Sequence, residues 1–189
     1  MPAEGSSVTD EHRSAEQLTK SLCAVNSEAP SSRDVRVRKA TLGDVPAVSR
    51  LFDAYRQFYG QPADLPRAER FIAERLRLGD SVIITASSSG NGADSGLGFV
   101  QLYPSLSSVN TARILILNDL FVVKPARQCG VALALMDEAR RYAGSIAACR
   151  IELATGKENA PAQRLYRKLG YEPTREFEAF SLRLSGIDG

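Results

Sequence analysis

The sequence has no tryptophan, one histidine, two methionines and three cysteines among its 189 residues. The lone histidine, His12, stands in a polar N-terminal stretch. A histidine-based triad or a histidine metal site is therefore excluded. Cys23, Cys129 and Cys149 are scattered, with no Cys-x-x-Cys spacing. Neither a disulfide framework nor a metal site is expected from them. No apolar run approaches the roughly 18 residues that span a bilayer. The N-terminus lacks the basic region and apolar core of a secretory leader. The expectation is a cytoplasmic protein with no membrane partner. Charge of one sign is also scarce in excess: 24 Lys and Arg stand against 22 Asp and Glu, a net +2. That balance argues against a dedicated nucleic-acid binder. What remains is ordinary globular composition, 43% hydrophobic and 24% charged, in a length that suits one domain with an appendage.

The charges divide unevenly. Residues 1–34 hold three basic residues, six acidic residues and seven serines, with no aromatic residue. Such a segment buries too little apolar surface to offset the cost of ordering, so it reads as a disordered tail. Leu18 and Leu22, spaced i, i+4, allow a short helix within it. The remaining residues, 35–189, read as one domain with 21 basic and 16 acidic residues.

Val35 to Arg38 alternates apolar and charged residues and predicts a first strand. Thr41 to Asp44 gives a turn and a helix cap, with Pro46 in the first turn. Val45, Val48, Leu51, Phe52 and Tyr55 then fall at helical spacing until Gly60 and Pro62 interrupt. A second helix is expected over about 66–78, stopped by Gly79. Strands are expected over 81–86 and 98–104, joined by a Ser/Gly/Asn turn over 87–96. Residues 113–123 form a long Ile/Val-rich run that reads as a buried strand. A helix follows over about 131–143, a strand over 150–154, a helix over 159–169 and a closing strand over 177–184. The order is β-α-α-β-β-β-α-β-α-β. It implies an α/β protein, a mixed central sheet with helices on both faces.

The most informative stretch is Leu120-Phe-Val-Val-Lys-Pro-Ala-Arg127-Gln128-Cys129-Gly130-Val131-Ala132. It joins a buried strand to a helix. Small residues at Gly130 and Ala132 let a ligand approach the backbone. The unpaired N–H groups of a helix N-terminus bind phosphate oxygens, and Arg127 adds a positive fork of donors. It is not a P-loop, because no Gly-Lys-Ser/Thr follows. It is not the dinucleotide fingerprint, because the glycine spacing fails. On spacing alone, an ordinary strand-to-helix turn explains it equally well.

Arg127-x-x-Gly130-x-Ala132 resembles the (Arg/Gln)-x-x-Gly-x-(Gly/Ala) motif of the GCN5-related N-acetyltransferase (GNAT) superfamily. A second block, Asn159-Ala-Pro-Ala-Gln-Arg-Leu-Tyr166-Arg-Lys-Leu-Gly170-Tyr171, is similar to that family's Asn-x-x-Ala-x-x-Leu-Tyr-x-Lys-x-Gly-Phe/Tyr element. The resemblance implies a GNAT-type fold and acetyl-CoA as cosubstrate, with no metal. The pyrophosphate would meet the amides of Gln128, Cys129, Gly130, Val131, Ala132 and Leu133. The pantetheine arm would lie beside Leu120, Phe121 and Val122 like an added strand, near Asn159, Ala162 and Tyr166. The chain has Gln128-Cys129 where the family commonly has Gly-Lys, so one flexible position and one positive charge are missing. Cys129 sits at the phosphate end, away from the thioester, and its expected role is turn packing.

Direct acetyl transfer needs the amine deprotonated, the oxyanion stabilised and the thiolate protonated. No covalent enzyme intermediate is required. Tyr166 is the candidate acid, since a phenol has a proton to give at neutral pH. The alternative is an aromatic packed with Leu165 and Leu169. Asn159 is expected to cap its helix. Asn118 and Asp119 stand within the apolar run, where polar groups are costly unless satisfied or functional. The block Leu117-Asn118-Asp119-Leu120-Phe121-Val122 resembles the Leu-Glu-Asp-Phe/Leu-Phe-Val block of the diamine and thialysine acetyltransferase subgroup. There the Glu contacts the substrate amine; here Asn118 replaces it, which favours a water chain aided by Asp119. Strand alternation turns only one of the two toward the site, unless a bulge re-aims both. A structural carboxylate bonded to backbone is the other reading of Asp119. Tyr55, Phe58, Tyr59 and Glu152 are candidate acceptor-side residues, the aromatics through cation–π contact or, more simply, as core.

These readings converge on an N-acetyltransferase for a small-molecule amine such as a polyamine or amino acid, working through a ternary complex. Transfer to a protein lysine or N-terminus, and a non-catalytic acetyl-CoA-binding module, are the alternatives. The resemblance allows a homodimer, paired across the alternating last strand.

Overall fold

A computed structural model describes residues 35–88, 95–174, 178, 180–182 and 184. The tail expected over 1–34 lies outside the described residues, as does most of the turn expected over 87–96. Nine principal elements follow in order: β1 (Val35–Lys39), α1 (Val45–Phe58), α2 (Leu65–Leu78), β2 (Val82–Ser88), β3 (Ser95–Ser107), β4 (Ala112–Val122), α3 (Val131–Ser145), β5 (Arg150–Leu153) and α4 (Ala160–Lys168). The strands form one sheet in the order β1-β2-β3-β4-β5. Neighbours are antiparallel except β4 and β5, which run parallel.

Local chemistry sets the helix ends. Thr41 and Asp44 form a capping box before α1, and Pro46 sits in its first turn. Asp44 also takes two bonds from Arg38 at 2.8 and 2.6 Å, which tie β1 to the start of α1. The Arg38 hydrogen bonds hold the Asp44 carboxyl well below the usual carboxylate range. Asp64 caps α2 through Arg67 N at 2.9 Å. Gly79 stops that helix in the left-handed conformation at φ 65°, which glycine adopts without strain.

The sheet separates two cores. On one face α3 lays Val131, Leu135, Met136 and Ala139 over Ile84, Val100, Leu102, Leu115 and Leu117, and Tyr166 of α4 joins them. On the other face Val48 and Leu51 of α1 and Ile72 of α2 pack on Ile83, Phe99 and Phe121. Full burial of each such aliphatic side chain contributes about 1.5–3 kcal/mol. Alternating residues of β4 serve opposite cores, as the period of two requires.

The closing strand expected over 177–184 does not form among its described residues. Phe180, Leu182 and Leu184 are instead 89%, 85% and 62% exposed. An alternating apolar segment becomes a strand only where a sheet edge pairs with it, and none does here among the described residues. Among the described residues the sheet therefore has five strands rather than six.

Candidate active site

β5 pairs with β4 only from Ile114 to Leu117, opposite Arg150 to Leu153. From Asn118 onward, β4 has a neighbour on one side only, β3. Phe121 O points toward β3, because a Cβ added at Gly98 would meet it at 2.5 Å. The carbonyls of Leu120 and Val122 therefore point the other way, to the open edge. Gly98 is what allows β3 and β4 to approach so closely there. The side chains of Leu120 and Val122 pack with the α3 core, and Phe121 packs with the α1 core. Their contribution to the open edge is backbone alone.

The same strand carries a bulge. β3 and β4 shift register between Gln101, opposite Asp119, and Leu102, opposite Leu117. Asn118 is the extra residue. The insertion turns Asn118 and Asp119 to the same face, the face of α1. Asn118 Nδ2 donates to Asp119 Oδ1 at 3.2 Å. Asp119 is only 4% exposed, and the Tyr55 hydroxyl faces it from α1. Burial raises its carboxyl above the usual range, and the Tyr55 hydroxyl and the Asn118 amide partly offset this. Burial, then Asp119 itself, raises the Tyr55 phenol.

Aromatic residues surround this carboxylate. Tyr55 packs edge-on against Tyr59 at 5.0 Å and Phe121 at 6.2 Å. Phe58 packs edge-on against Tyr59 at 5.2 Å. Phe58 and Tyr59 are each 59% exposed, so they form a wall rather than core. Tyr166 is 9% exposed and lies 5.9 Å from the Tyr171 ring. Its phenol is pushed up to about 12, first by burial and then by Tyr59 and Tyr171. Tyr55 also senses Tyr166. The phenols of α1 and α4 thus influence one another electrostatically.

The turn after β4 is built for close approach. Gln128 has φ 65° and Gly130 φ 82°. Left-handed backbone costs a non-glycine residue roughly 1–2 kcal/mol. α3 has no side-chain cap, and its first backbone bond runs from Ala134 N to Gly130 O at 3.0 Å. The amides of Val131, Ala132 and Leu133 are left without intrahelical partners. Val131 is buried in the core, whereas Ala132 packs only at its margin. Cys129 Sγ reaches Arg127 O at 3.5 Å, a turn contact. Asn159 caps α4 through Ala162 N at 3.3 Å.

Two expected residues are engaged by the protein itself. Arg127 turns inward, its Nε donating to Val122 O at 3.0 Å. Glu152 is ion-paired to Arg150 at 2.6 Å and makes no contact with the aromatic group among the described residues. Sequence reasoning missed Gln101 and Tyr103. Gln101 stands opposite Asp119, is fully buried, and donates to Ser81 Oγ at 2.8 Å. A glutamine inside an apolar strand was the available signal. Burial, then Asp119, pushes the Tyr103 phenol up to about 12.

Residues 48–171 match the acetyltransferase (GNAT) family. The chain belongs to the GNAT acetyltransferase family. It is 41% identical to the uncharacterised N-acetyltransferase YhfO of Bacillus subtilis (strain 168) over 150 residues, 79% of this chain and 98% of that one. A crystal structure of a probable acetyltransferase superposes with a TM-score of 0.75 at 36% identity, covering 80% of this chain and 99% of the other. The aminoglycoside N-acetyltransferase AAC(6')-Iy, solved with a bisubstrate analogue of CoA, shares the fold with a TM-score of 0.66 at 21% identity, covering 79% and 99%. The GNAT chain is accordingly an N-acetyltransferase enzyme. Among the described residues no group of His, Cys, Asp and Glu could hold a metal ion, and no helix is long and apolar enough to cross a membrane.

Proposed function

We propose that this GNAT enzyme transfers the acetyl group of acetyl-CoA directly to a primary amine of a small molecule within a ternary complex. The observation that carries the reading is the junction where the open edge of β4 meets the buried Asp119. The chain's own geometry fits the coenzyme. Leu120 and the Val122 amide offer unpaired edge groups for an extended, amide-bearing pantetheine arm, the Val122 carbonyl being taken by Arg127 Nε. Gln128, Cys129, Gly130, Val131, Ala132 and Leu133 offer amides at a helix N-terminus for its pyrophosphate. Asn159 keeps its amide hydrogens free for the arm while its oxygen caps α4, and Ala162 leaves room there.

Acetyl-CoA supplies a thioester carbonyl at the junction. The amine nitrogen attacks the carbonyl carbon and the C–S bond breaks. Tyr166, protonated across the neutral range, gives its proton to the departing thiolate. The surplus proton of the amine passes to Asp119 through water, with Asn118 and Tyr55 fixing the carboxylate. Asp119 and the ring faces of Phe58 and Tyr59 suit a cationic acceptor. The local likeness of Leu117 to Val122 to the diamine and thialysine subgroup, and the aminoglycoside enzyme among the fold neighbours, both support a small polyamine-like acceptor. The test is steady-state thiol release over polyamines, amino acids and aminoglycosides. Acceleration by at least one amine class is expected. Tight coenzyme binding with no acceleration by any amine would overturn the reading.

A further inference from the structure

Arg127 opens the turn that the family motif assigns to the coenzyme, yet its side chain reaches toward the acceptor wall. Nε donates to Val122 O at 3.0 Å, a carbonyl on the open edge of β4. The guanidinium carbon lies 5.7 Å from the centre of the Phe58 ring. Its terminal nitrogens make no hydrogen bond to the described residues. Phe58 packs on Tyr59 at 5.2 Å and Tyr59 on Tyr55 at 5.0 Å. The Tyr55 hydroxyl in turn faces Asp119. One line of contacts therefore runs from the coenzyme turn to the buried carboxylate. Phe58 is the last residue of α1 and is largely exposed. Little besides Tyr59 and the guanidinium holds its ring.

We propose that Arg127 is a positioning residue for the acceptor wall. It pins Phe58, and through it Tyr59, to the backbone of the coenzyme turn, and it is not a phosphate ligand. The proposal rests on the amine-acetylation reading above. Its physical content is a coupling: whatever stiffens the backbone from Val122 to Arg127 also fixes the ring that the amine meets.

The test compares Arg127→Ala, Phe58→Leu, Phe58→Trp and the Arg127→Ala/Phe58→Leu double variant with the wild type. Calorimetry measures coenzyme A affinity, kinetics measures the amine KM at saturating acetyl-CoA, and hydrogen exchange follows residues 55–62. Arg127→Ala should raise the amine KM about fivefold, the scale of an exposed cation–π contact. Coenzyme A affinity should stay within twofold, and exchange over 55–62 should accelerate. Phe58→Leu should do the same, with no further loss in the double variant, and Phe58→Trp should restore the wild-type values. A tenfold loss of coenzyme A affinity in Arg127→Ala, with unchanged exchange over 55–62, would make Arg127 a phosphate ligand and overturn the proposal. Unchanged exchange with unchanged affinity would overturn it equally. If the wild type acetylates no amine, the function fails on its own terms. The exchange comparison still decides whether Arg127 holds the end of α1.

Discussion

The turn from Lys124 to Gly130 exposes main-chain groups, whereas the wall around Asp119 is built of side chains. The turn needs small residues, left-handed backbone at Gln128 and Gly130, and an uncapped helix. All of that is local in sequence. The wall needs Tyr55, Phe58 and Tyr59 from α1 and Asp119 from a bulge in β4. It exists only once the sheet is assembled. A site made of backbone is therefore expected to tolerate side-chain change such as the Gln128-Cys129 pair. Side-chain sites are broken by single atoms.

The sharpest break is expected on the side-chain half. Tyr166→Phe removes one oxygen and should lower kcat about 10²-fold or more, the scale of a lost general acid, while coenzyme A affinity stays within twofold. Unchanged turnover would remove Tyr166 from the mechanism. Because its phenol is pushed up to about 12, wild-type kcat should show no loss from this group until pH nears that value.

Asp119→Asn keeps an acceptor for Tyr55 but removes the charge. A drop in kcat/KM of about tenfold is expected, smaller because water can still carry a proton. The sign of the pH effect follows from burial. On the proposed mechanism Asp119 acts as the anion, and its carboxyl is raised in the folded enzyme. Wild-type activity should thus climb with pH through a limb lying above the ordinary carboxylate range. That limb should vanish in the Asn variant, and a persisting limb would assign it to another group.

Gly98→Ala probes the backbone half through its scaffold. The new Cβ would meet Phe121 O at 2.5 Å. The two strands must part, at a cost of about 1–3 kcal/mol, read from the denaturant midpoint. A neutral outcome would mean that β4 is not held where the open edge requires it.

Gln128→Gly should do least. Relief of left-handed strain is opposed by the added freedom of the unfolded chain. Stability should change by less than about 1 kcal/mol in a thermal melt, and coenzyme A affinity should hold. A large loss of affinity would show that the Gln128 side chain, not its amide, does the binding.

The same contrast explains what the sequence disclosed. Periods of two and 3.6 located the strands and helices of the core, since burial enforces them. The polar pair Asn118-Asp119 stood out against its apolar run. That both would face α1 did not, because the bulge depends on register with β3 at Gln101. Tyr55 and Asp119 were each legible as candidates, but their approach joins two distant elements. The direction of Arg127 was not legible either, because Phe58 and Val122 O choose it. Phe180, Leu182 and Leu184 carry strand periodicity, yet periodicity cannot supply a partner edge.

A sheet edge with bare amides and carbonyls is a template for any extended peptide, including another copy of the same strand. The stretch of β4 beyond Leu117 is such a template, capped at its far end by the Arg127 bond to Val122 O. A molecule laid along it would close it to intruding chains. Purified protein without coenzyme should then be the form that clumps on storage or heating, and acetyl-CoA should act as a preservative as well as a reactant.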